Sequence, residues 1–369
     1  MKTADATAMA RELDARILEL IAAPASEEPA FNAIALDLFA YQYAYNRAYS
    51  ALCDRLGHTP AHVTTWADVP AIPAASFGDV RLACFSPDRT RLRFASSGTT
   101  RAGGHASMHE MDTTELYDAA LEAQFRRWVM PDLDRMPMVF LSPSYRDAPA
   151  SSLAYMCSRL FDRCASGGGF FIRDEVLDAA GATTELRSAS TPVLVFGTAF
   201  GFVHFLDTCT RSGDRFSLPA GSRLIETGGF KGKSRSVERD RLYDLLARTF
   251  GIPLERCASE YGMCELTSQW YDAHLADALD NRPRRIGIKV GPHWTRMAVV
   301  DPITALPVSD GSEGLLQVFD LANRGSVACV LTADLVRRSG DGFIYLGRSP
   351  AAAPKGCSIA VDSMLRSDA

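Results

Sequence analysis

A chain of 369 residues, 47% hydrophobic and 22% charged, has the balance of a globular protein with room for one to three domains. Its net charge of -5 argues against the basic surface that nucleic-acid binding requires, so no nucleic-acid partner is expected. No apolar stretch is long enough to predict a transmembrane helix, and the charged, amphipathic N-terminus is not expected to act as a signal peptide.

The nine cysteines occur singly along the chain, without a CxxC pair or a Cys/His cluster of zinc spacing. Reduced, mostly buried thiols are the simplest interpretation, which predicts a cytoplasmic protein.

In chain order, residues 1–60 show apolar positions at helical spacing, for example in ARELDARILELI, and predict helices. Strands and helices then alternate over 90–260, which is typical of a largely parallel sheet. After residue 283 short strands separated by Gly, Pro and Asp turns predict a smaller antiparallel region. The expected class is α/β, with mostly parallel sheets flanked by helices plus a smaller β region.

Individual boundaries follow from caps and turns. TTELYDAALEAQFRRWVM predicts a helix capped by Asp112 or Thr113, and SVERDRLYDLLARTFG a helix ending at Gly251. SGGGFFIR predicts a turn followed by a strand.

The stretch RFASSGTTRAGG, residues 93–104, places hydroxyls and a glycine directly after a predicted strand. Successive N–H groups in such a loop can form an anion-binding nest, at the end of a strand where open α/β sheets place ligands. It is not a Walker loop, because GxxxxGK[ST] is absent. Its own residues leave a phosphate loop and an ordinary polar turn equally open.

Four later motifs accompany this loop: ASEYGMCELTSQWYD (258–272), EGLL (313–316), TADL (332–335) and YLGR (345–348). In this order and spacing the five motifs resemble those of the acyl-adenylating superfamily. FGTAFGFVHFLD, ETGGFKGKSR and GMCELTSQWY further resemble its acyl-protein synthetases of the LuxE type. The resemblance covers roughly residues 30–365.

The resemblance implies an ATP site. The residues it implies for phosphate and adenine binding are Ser96, Ser97, Gly98, Thr99, Thr100, Gly228, Gly229, Tyr261 and Gly262. Tyr261 would lie on the adenine, and the glycine pair would allow close backbone approach or form a plain turn. Arg101 stands where the family usually has Gly, and either supplies a charge to the phosphates or points to solvent.

Glu265 of YGMCE is implied as the Mg²⁺ ligand, bridging phosphate oxygens. The alternative is a glutamate at a helix start without function. Cys264 departs from the usual Thr, and because a thiol is the weaker donor the α-phosphate contact is in doubt. Thr267 is a candidate substitute.

Asp334 is implied to accept hydrogen bonds from the ribose hydroxyls, although Ala333 before it replaces the family's usual Gly. Arg348 is implied to reach the ribose or the α-phosphate. His204 is a candidate for the acyl pocket, or else a satisfied core residue.

The domain expected from this resemblance is an adenylation domain over 1–348, with a helical part (1–60), a β-rich part (283–348) and a tail, 349–369. Full-length superfamily members carry a further domain with a catalytic lysine, which is expected to be absent here or reduced to the tail. Lys231, Lys233 and Lys355 are the candidate replacements.

The tail carries Cys357, at the place where the LuxE-like enzymes have their acyl-accepting cysteine. It lies nine positions after Arg348, a span of at most about 30 Å, so the thiol can reach an acyl phosphate beside that arginine. Lys355 would lower the pKa of the thiol. An idle thiol is the alternative.

The expected function is ATP- and Mg²⁺-dependent activation of a carboxylic, fatty acid as acyl-AMP, followed by thioester formation on Cys357. A partner such as an acyl reductase or another acceptor protein would receive the acyl group. Two alternatives stay open: a ligase that uses CoA or a carrier protein, and a degenerate adenylation domain that only binds. The acid and the oligomeric state are not indicated by the sequence.

Overall fold

The computed structural model describes residues 3–96, 106–228 and 239–349. The helices in these ranges are α1 Thr3–Ala22, α2 Glu28–Tyr45, α3 Arg47–Leu56, α4 Glu115–Trp128, α5 Ser152–Cys164, α6 Ala179–Ser188, α7 Ala199–Ser212, α8 Arg239–Phe250 and α9 His274–Leu279. The strands are β1 Ile72–Pro73, β2 Leu92–Ala95, β3 Met108–Met111, β4 Met136–Leu141, β5 Ala165–Phe170, β6 Ile172–Arg173, β7 Val176–Leu177, β8 Leu194–Thr198, β9 Arg223–Thr227, β10 Cys257–Tyr261, β11 Trp270–Asp272, β12 Ile288–Val290, β13 Thr295–Val300, β14 Glu313–Asp320, β15 Cys329–Ser339 and β16 Gly342–Arg348.

The chain forms two compact units. Within the described residues the first unit takes in the chain up to residue 123, the short segment 263–269, and residues 289–349. The second unit takes in residues 124–262 and 270–288. The expectation of a single adenylation domain over 1–348 stays a prediction.

The second unit is built on a sheet in the order β5-β4-β8-β9-β10-β11. All its neighbouring pairs from β5 to β10 are parallel, and only the pairing of β10 with β11 is antiparallel. The predicted parallel α/β region is thus confirmed. Since parallel strands all point the same way, the residues that follow β8, β9 and β10 lie at one edge of the sheet.

Successive residues of β4 serve opposite faces of that sheet, as a pleated strand requires. Val139 and Leu141 belong to a buried apolar cluster that includes side chains of α6, α7 and α8. Phe140 between them stacks on Phe170 of β5 at 4.8 Å and meets Phe161 of α5 at 6.2 Å. Helices therefore cover both faces, which explains the uninterrupted apolar sequence of this strand.

The turn predicted over SGGG is wrong, because these residues lie inside strand β5. The pairing of β5 with β4 shifts register between Met136 and Met138, beside Gly168. Gly168 has φ +96°, and a Cβ there would lie 2.0 Å from the carbonyl oxygen of Met138. The glycines permit an irregular strand rather than a turn, since only Gly combines this backbone conformation with such close approach.

Gly168→Ala is therefore expected to lower the free energy of unfolding by about 1–3 kcal/mol. Gly167→Ala is the matched control, because a Cβ at Gly167 would meet nothing within 4 Å. The urea midpoints of the two variants decide the point, and equal midpoints would contradict the account given for Gly168.

The first unit combines helices with antiparallel strands. Strands β13, β14, β15 and β16 pair consecutively and antiparallel, and β1 adds to β15 in parallel. Strands β2 and β3 form a separate hairpin. The ring of Phe31 on α2 packs between Trp66 and Phe319 of β14, with centroids about 6 Å apart. The predicted N-terminal helices and the antiparallel region after residue 283 are both confirmed.

One predicted helix end agrees with the structure, and one is off by a residue. Helix α4 begins at Glu115, and the carbonyl of Thr114 accepts its first helical bond from the N–H of Asp118, so Thr114 rather than Asp112 or Thr113 is the cap. Helix α8 ends at Phe250, and Gly251 has φ +67°. No helix in the described ranges is both long and apolar enough to cross a membrane.

Candidate functional site

In the first unit, Ser96 and Ser107 are hydrogen-bonded to each other at the open end of the hairpin of β2 and β3. The N–H of Ser96 donates to the carbonyl of Ser107, and the N–H of Ser107 donates to the hydroxyl of Ser96, both at 2.9 Å. The pair extends the hairpin of β2 and β3 by one step beyond Ala95 and Met108. Ser97, Gly98, Thr99, Thr100 and Arg101, all predicted phosphate ligands, lie outside the described residues.

Glu265 is a buried carboxylic acid in the segment 263–269 of the same unit, with 7% of its surface exposed. Burial raises its pKa above the ordinary value, and Asp334 raises it further. A hydrogen bond from Ser107 and the charge of Arg348 act in the opposite direction. The structure thus brings together Ser107, Glu265, Asp334 and Arg348, three of which were predicted as site residues.

Asp334 and Arg348 are register partners on the neighbouring antiparallel strands β15 and β16. The Nε of Arg348 lies 3.3 Å from the Oδ1 of Asp334. The aspartate is buried, whereas half of the arginine side chain is exposed to solvent. The pair therefore combines a buried carboxylate with a half-exposed guanidinium on neighbouring strands.

Cys264, the departure from the usual Thr, is buried with its Sγ 4.0 Å from the carbonyl oxygen of Ser107. Its own carbonyl lies 2.8 Å from Nδ1 of His109. Burial lowers the pKa of His109 to about 4, so the ring is neutral at neutral pH and donates from Nδ1. The predicted substitute, Thr267, is also buried, and its N–H donates to Asp320.

The residues present fit a magnesium ion that is held mainly by a ligand's oxygens. Within the described ranges no group of three or more His, Cys, Asp or Glu side chains could hold a metal ion alone. Glu265 nevertheless offers one hard oxygen donor whose ionised form burial disfavours, and a nearby cation would stabilise that form. Mg²⁺ is commonly bound by one or two carboxylates together with substrate phosphates.

In the second unit, Gly228 and Tyr261 lie at the carboxyl ends of the neighbouring parallel strands β9 and β10. Thr227 and Glu260, just before them, are register partners. Gly228 has φ +83° and open space where a Cβ would be. The ring of Tyr261 is largely buried, edge-on to Trp270 at 6.2 Å, and Gly262 after it is exposed. Gly229, Lys231 and Lys233 lie outside the described residues.

His204 lies on α7, and its side chain is exposed. The ring packs against Phe200 with the centroids 4.2 Å apart. The alternative that placed His204 in the core is therefore wrong, because the apolar face of α7 is formed by Phe202, Val203, Phe205 and Leu206. Cys357 and Lys355 lie outside the described residues.

A comparison with known protein families identifies the family of the whole chain. Residues 4–366 match the model of the family described as acyl-protein synthetase, LuxE. The chain belongs to this family. As a LuxE-family protein it is an AMP-forming ligase.

One curated relative of this LuxE-family chain is the long-chain-fatty-acid–luciferin-component ligase of Aliivibrio fischeri. The two are 21% identical over 348 residues, which cover 89% of this chain and 87% of the relative.

Solved structures of adenylate-forming enzymes share the fold. The 2-hydroxyisobutyryl-CoA ligase in complex with 2-HIB-AMP and CoA superposes with a TM-score of 0.62 at 13% identity, over 87% of this chain and 74% of the ligase. ATP-bound MatB from Rhodopseudomonas palustris gives a TM-score of 0.50 at 14% identity, over 81% of this chain and 56% of that protein. The predicted fold class is thereby confirmed.

Ser107 and His109 were missed by the sequence prediction. They lie beyond the Gly-rich stretch, in a segment, ASMHEM, that carries no recognisable motif. Their proximity to Glu265 and Cys264 depends on the folding of β3 against a segment more than 150 residues later.

Proposed function

We propose that this LuxE-family ligase activates a fatty acid with ATP and then holds the acyl group as a thioester. A carboxylate oxygen of the acid attacks the α-phosphorus, the bond to the bridging oxygen breaks, and pyrophosphate leaves. The thiolate of Cys357 then attacks the acyl carbon of the acyl-AMP, and AMP leaves as the C–O bond breaks. The acyl group passes to a partner, an acyl reductase or another acceptor protein.

The observation that carries the first step is the convergence of Glu265, Asp334 and Arg348 in one unit. They come from three separate motifs, and a structural role gives no reason for a buried acid with a raised pKa beside a second acid. A nucleotide that carries both ribose hydroxyls and phosphates would use all three side chains. In this proposal Asp334 accepts from the ribose, and Arg348 contacts the ribose or the α-phosphate.

Glu265 would hold Mg²⁺, which supplies charge neutralisation on the phosphate oxygens when bound. Ser96, at the start of the 96–101 loop, would hold the phosphates together with Ser97, Gly98, Thr99, Thr100 and Arg101. Tyr261, Gly262, Gly228 and Gly229 would receive the adenine. The name of the Aliivibrio fischeri relative supports a long-chain fatty acid as the substrate class.

Cys357 is favoured as the thioester site by the state of the other thiols. The eight cysteines of the described ranges are all buried. Burial raises the pKa of Cys53, Cys84 and Cys257 to about 12, so these thiols are poor nucleophiles at neutral pH.

Incubation of the full chain with ATP, Mg²⁺ and a series of fatty acids is expected to add one acyl mass to the intact protein. Hydroxylamine should remove this mass, because it cleaves thioesters. Cys357→Ala should abolish the adduct yet retain ATP–pyrophosphate exchange, and Cys209→Ala is the matched control for loss of a buried thiol.

Other outcomes select the alternatives. Acyl-CoA formation without protein acylation would indicate a ligase that uses CoA, and an adduct that survives Cys357→Ala would overturn the cysteine step. Absence of pyrophosphate exchange with every acid would indicate a domain that only binds.

A further inference from the structure

Asp320, at the end of β14, is fully buried and accepts four hydrogen bonds through its two carboxylate oxygens. Oδ2 accepts from the N–H groups of Thr267 and Ser268 at 3.0 and 2.8 Å. Oδ1 accepts from the hydroxyl of Ser268 at 2.8 Å and from the N–H of Ala322 at 3.0 Å. Three of the four donors thus belong to the segment 263–269, which carries Glu265.

Asn323 contacts the same segment at Glu265 itself. Its Nδ2 donates to the backbone carbonyl of Glu265 and to that of Val327, both at 2.9 Å. Asn323 is 1% exposed, and its own N–H donates to the carbonyl of Asp320. The turn 320–323 is therefore bonded both to Glu265 and to the two residues two and three places after it.

The turn itself is braced from elsewhere in the first unit. Gln42 of α2 donates from Nε2 to the carbonyls of Asn323 and Arg324 and accepts at Oε1 from the N–H of Ala328. The indole N–H of Trp294 donates to the hydroxyl of Ser268 at 2.9 Å. Together these hydrogen bonds restrict the conformation of the backbone around Glu265.

Burying a carboxylate at this place has a cost that an apolar residue would avoid. Burial raises the pKa of Asp320 to about 6, although hydrogen bonds from Ser268, Thr267 and Ala322 lower it. The retained charge has a geometric use. A carboxylate can accept all four hydrogen bonds. An asparagine amide has an NH₂ group in place of one oxygen, and that NH₂ would face two of the four hydrogen-bond donors.

We propose that Asp320 and Asn323 are positioning residues, which fix the backbone of 263–269 so that the Glu265 carboxylate is preorganised for Mg²⁺·ATP. This inference rests on the proposed function, in which Glu265 holds the metal. Residues that orient a metal-binding side chain without contacting the metal commonly contribute about 10- to 100-fold to metal affinity or activity.

The test measures ATP binding to the full chain by calorimetry, once with EDTA and once with Mg²⁺. Wild type is expected to bind ATP more tightly with Mg²⁺ than with EDTA, and this increase in affinity is called the Mg²⁺-dependent gain. Glu265→Gln is expected to lose the gain. Asp320→Asn is expected to lower the gain by about 10- to 100-fold and to leave binding in EDTA nearly unchanged. In the double variant, Asp320→Asn should add nothing to Glu265→Gln, because it acts through that side chain.

The control for general destabilisation is Asp277→Asn in the second unit. Asp277 is also almost fully buried and accepts charge-assisted bonds, here from Arg285 at 2.9 Å. This variant should keep the Mg²⁺-dependent gain. If Asp320→Asn does not fold, Ser268→Ala removes one arm of the same contact and should lower the gain several-fold.

The outcomes are distinguishable. A normal gain in Asp320→Asn or Ser268→Ala, with loss of the gain in Glu265→Gln, would overturn the positioning role alone. An additive loss in the double variant would overturn it as well. Absence of a Mg²⁺-dependent gain in wild type would overturn the proposed function, and this inference with it.

Discussion

Glu265→Gln is expected to lower ATP–pyrophosphate exchange by about 10²- to 10³-fold, the cost of removing one preorganised electrostatic contact. At the same time it should make the protein more stable at neutral pH. The physical reason is that burial raises the pKa of Glu265, so keeping the carboxyl ionised in the folded chain costs free energy. The neutral amide avoids this cost.

The sign follows from proton linkage. Between the unfolded value of 4.5 and the raised folded value, the folded chain holds more protons on Glu265 than the unfolded chain does. This group therefore makes stability fall as pH rises through that window. Urea midpoints of wild type and Glu265→Gln should diverge as pH rises from about 4 toward 7, with the variant the more stable.

Glu110 of β3 provides the matched control, since it is buried in the same unit but paired. Burial raises its pKa, but hydrogen bonds and charges from Arg93 and Arg81 outweigh burial and hold it below the ordinary value. Glu110 thus stabilises the fold above its unfolded pKa, and that stability is lost as pH falls. Glu110→Gln should lower the urea midpoint at pH 7. A lower midpoint for Glu265→Gln as well would contradict the assignment of Glu265 as a costly, functional acid.

Asp334→Ala is expected to weaken ATP binding by about 10- to 100-fold, because it removes a charged acceptor from the proposed ribose site. The variant also leaves Arg348 without the carboxylate 3.3 Å away. The sharper readout is discrimination between ATP and 2′,3′-dideoxy-ATP. Wild type should prefer ATP, and the variant should bind both nucleotides with similar affinity.

Glu313→Ala is the control for this measurement. Glu313 lies on the adjoining strand β14 and pairs with Arg337 at 2.7 Å, with about half of each side chain exposed. Exposed ion pairs contribute little to stability, and this one should leave nucleotide affinity unchanged. Retained discrimination in Asp334→Ala would exclude Asp334 as the ribose ligand.

Most of the fold could be predicted from local patterns. The apolar spacing of α1 and α2, the uninterrupted apolar run of β4 and the Gly251 stop of α8 all report interactions within a few residues. The strand over the SGGG segment could not be predicted in this way, because its glycine-rich composition favours a turn. Its strand depends on pairing with Met138 and Phe140, which are distant in sequence.

For the candidate site, the motif residues could be predicted from the sequence but their proximity could not. Glu265, Asp334 and Arg348 are recognisable in the sequence because each lies in a motif whose order and spacing resemble a family pattern. Their proximity is decided by the antiparallel register of β15 on β16 and by the segment 263–269. Ser107, Asp320 and Asn323 carry no motif, and only their hydrogen bonds to residues far along the chain give them a role.

The sequence by itself determined the α/β class, because apolar spacing is a local property, and it indicated the family through motifs whose order resembles a family pattern. The candidate site residues are those that the resemblance implies. Only the tertiary structure decided that Glu265 is a buried acid with a raised pKa and that Asp320 and Asn323 hold its backbone. Burial and long-range hydrogen bonds are properties of the folded chain, since they depend on which distant residues exclude water from a group.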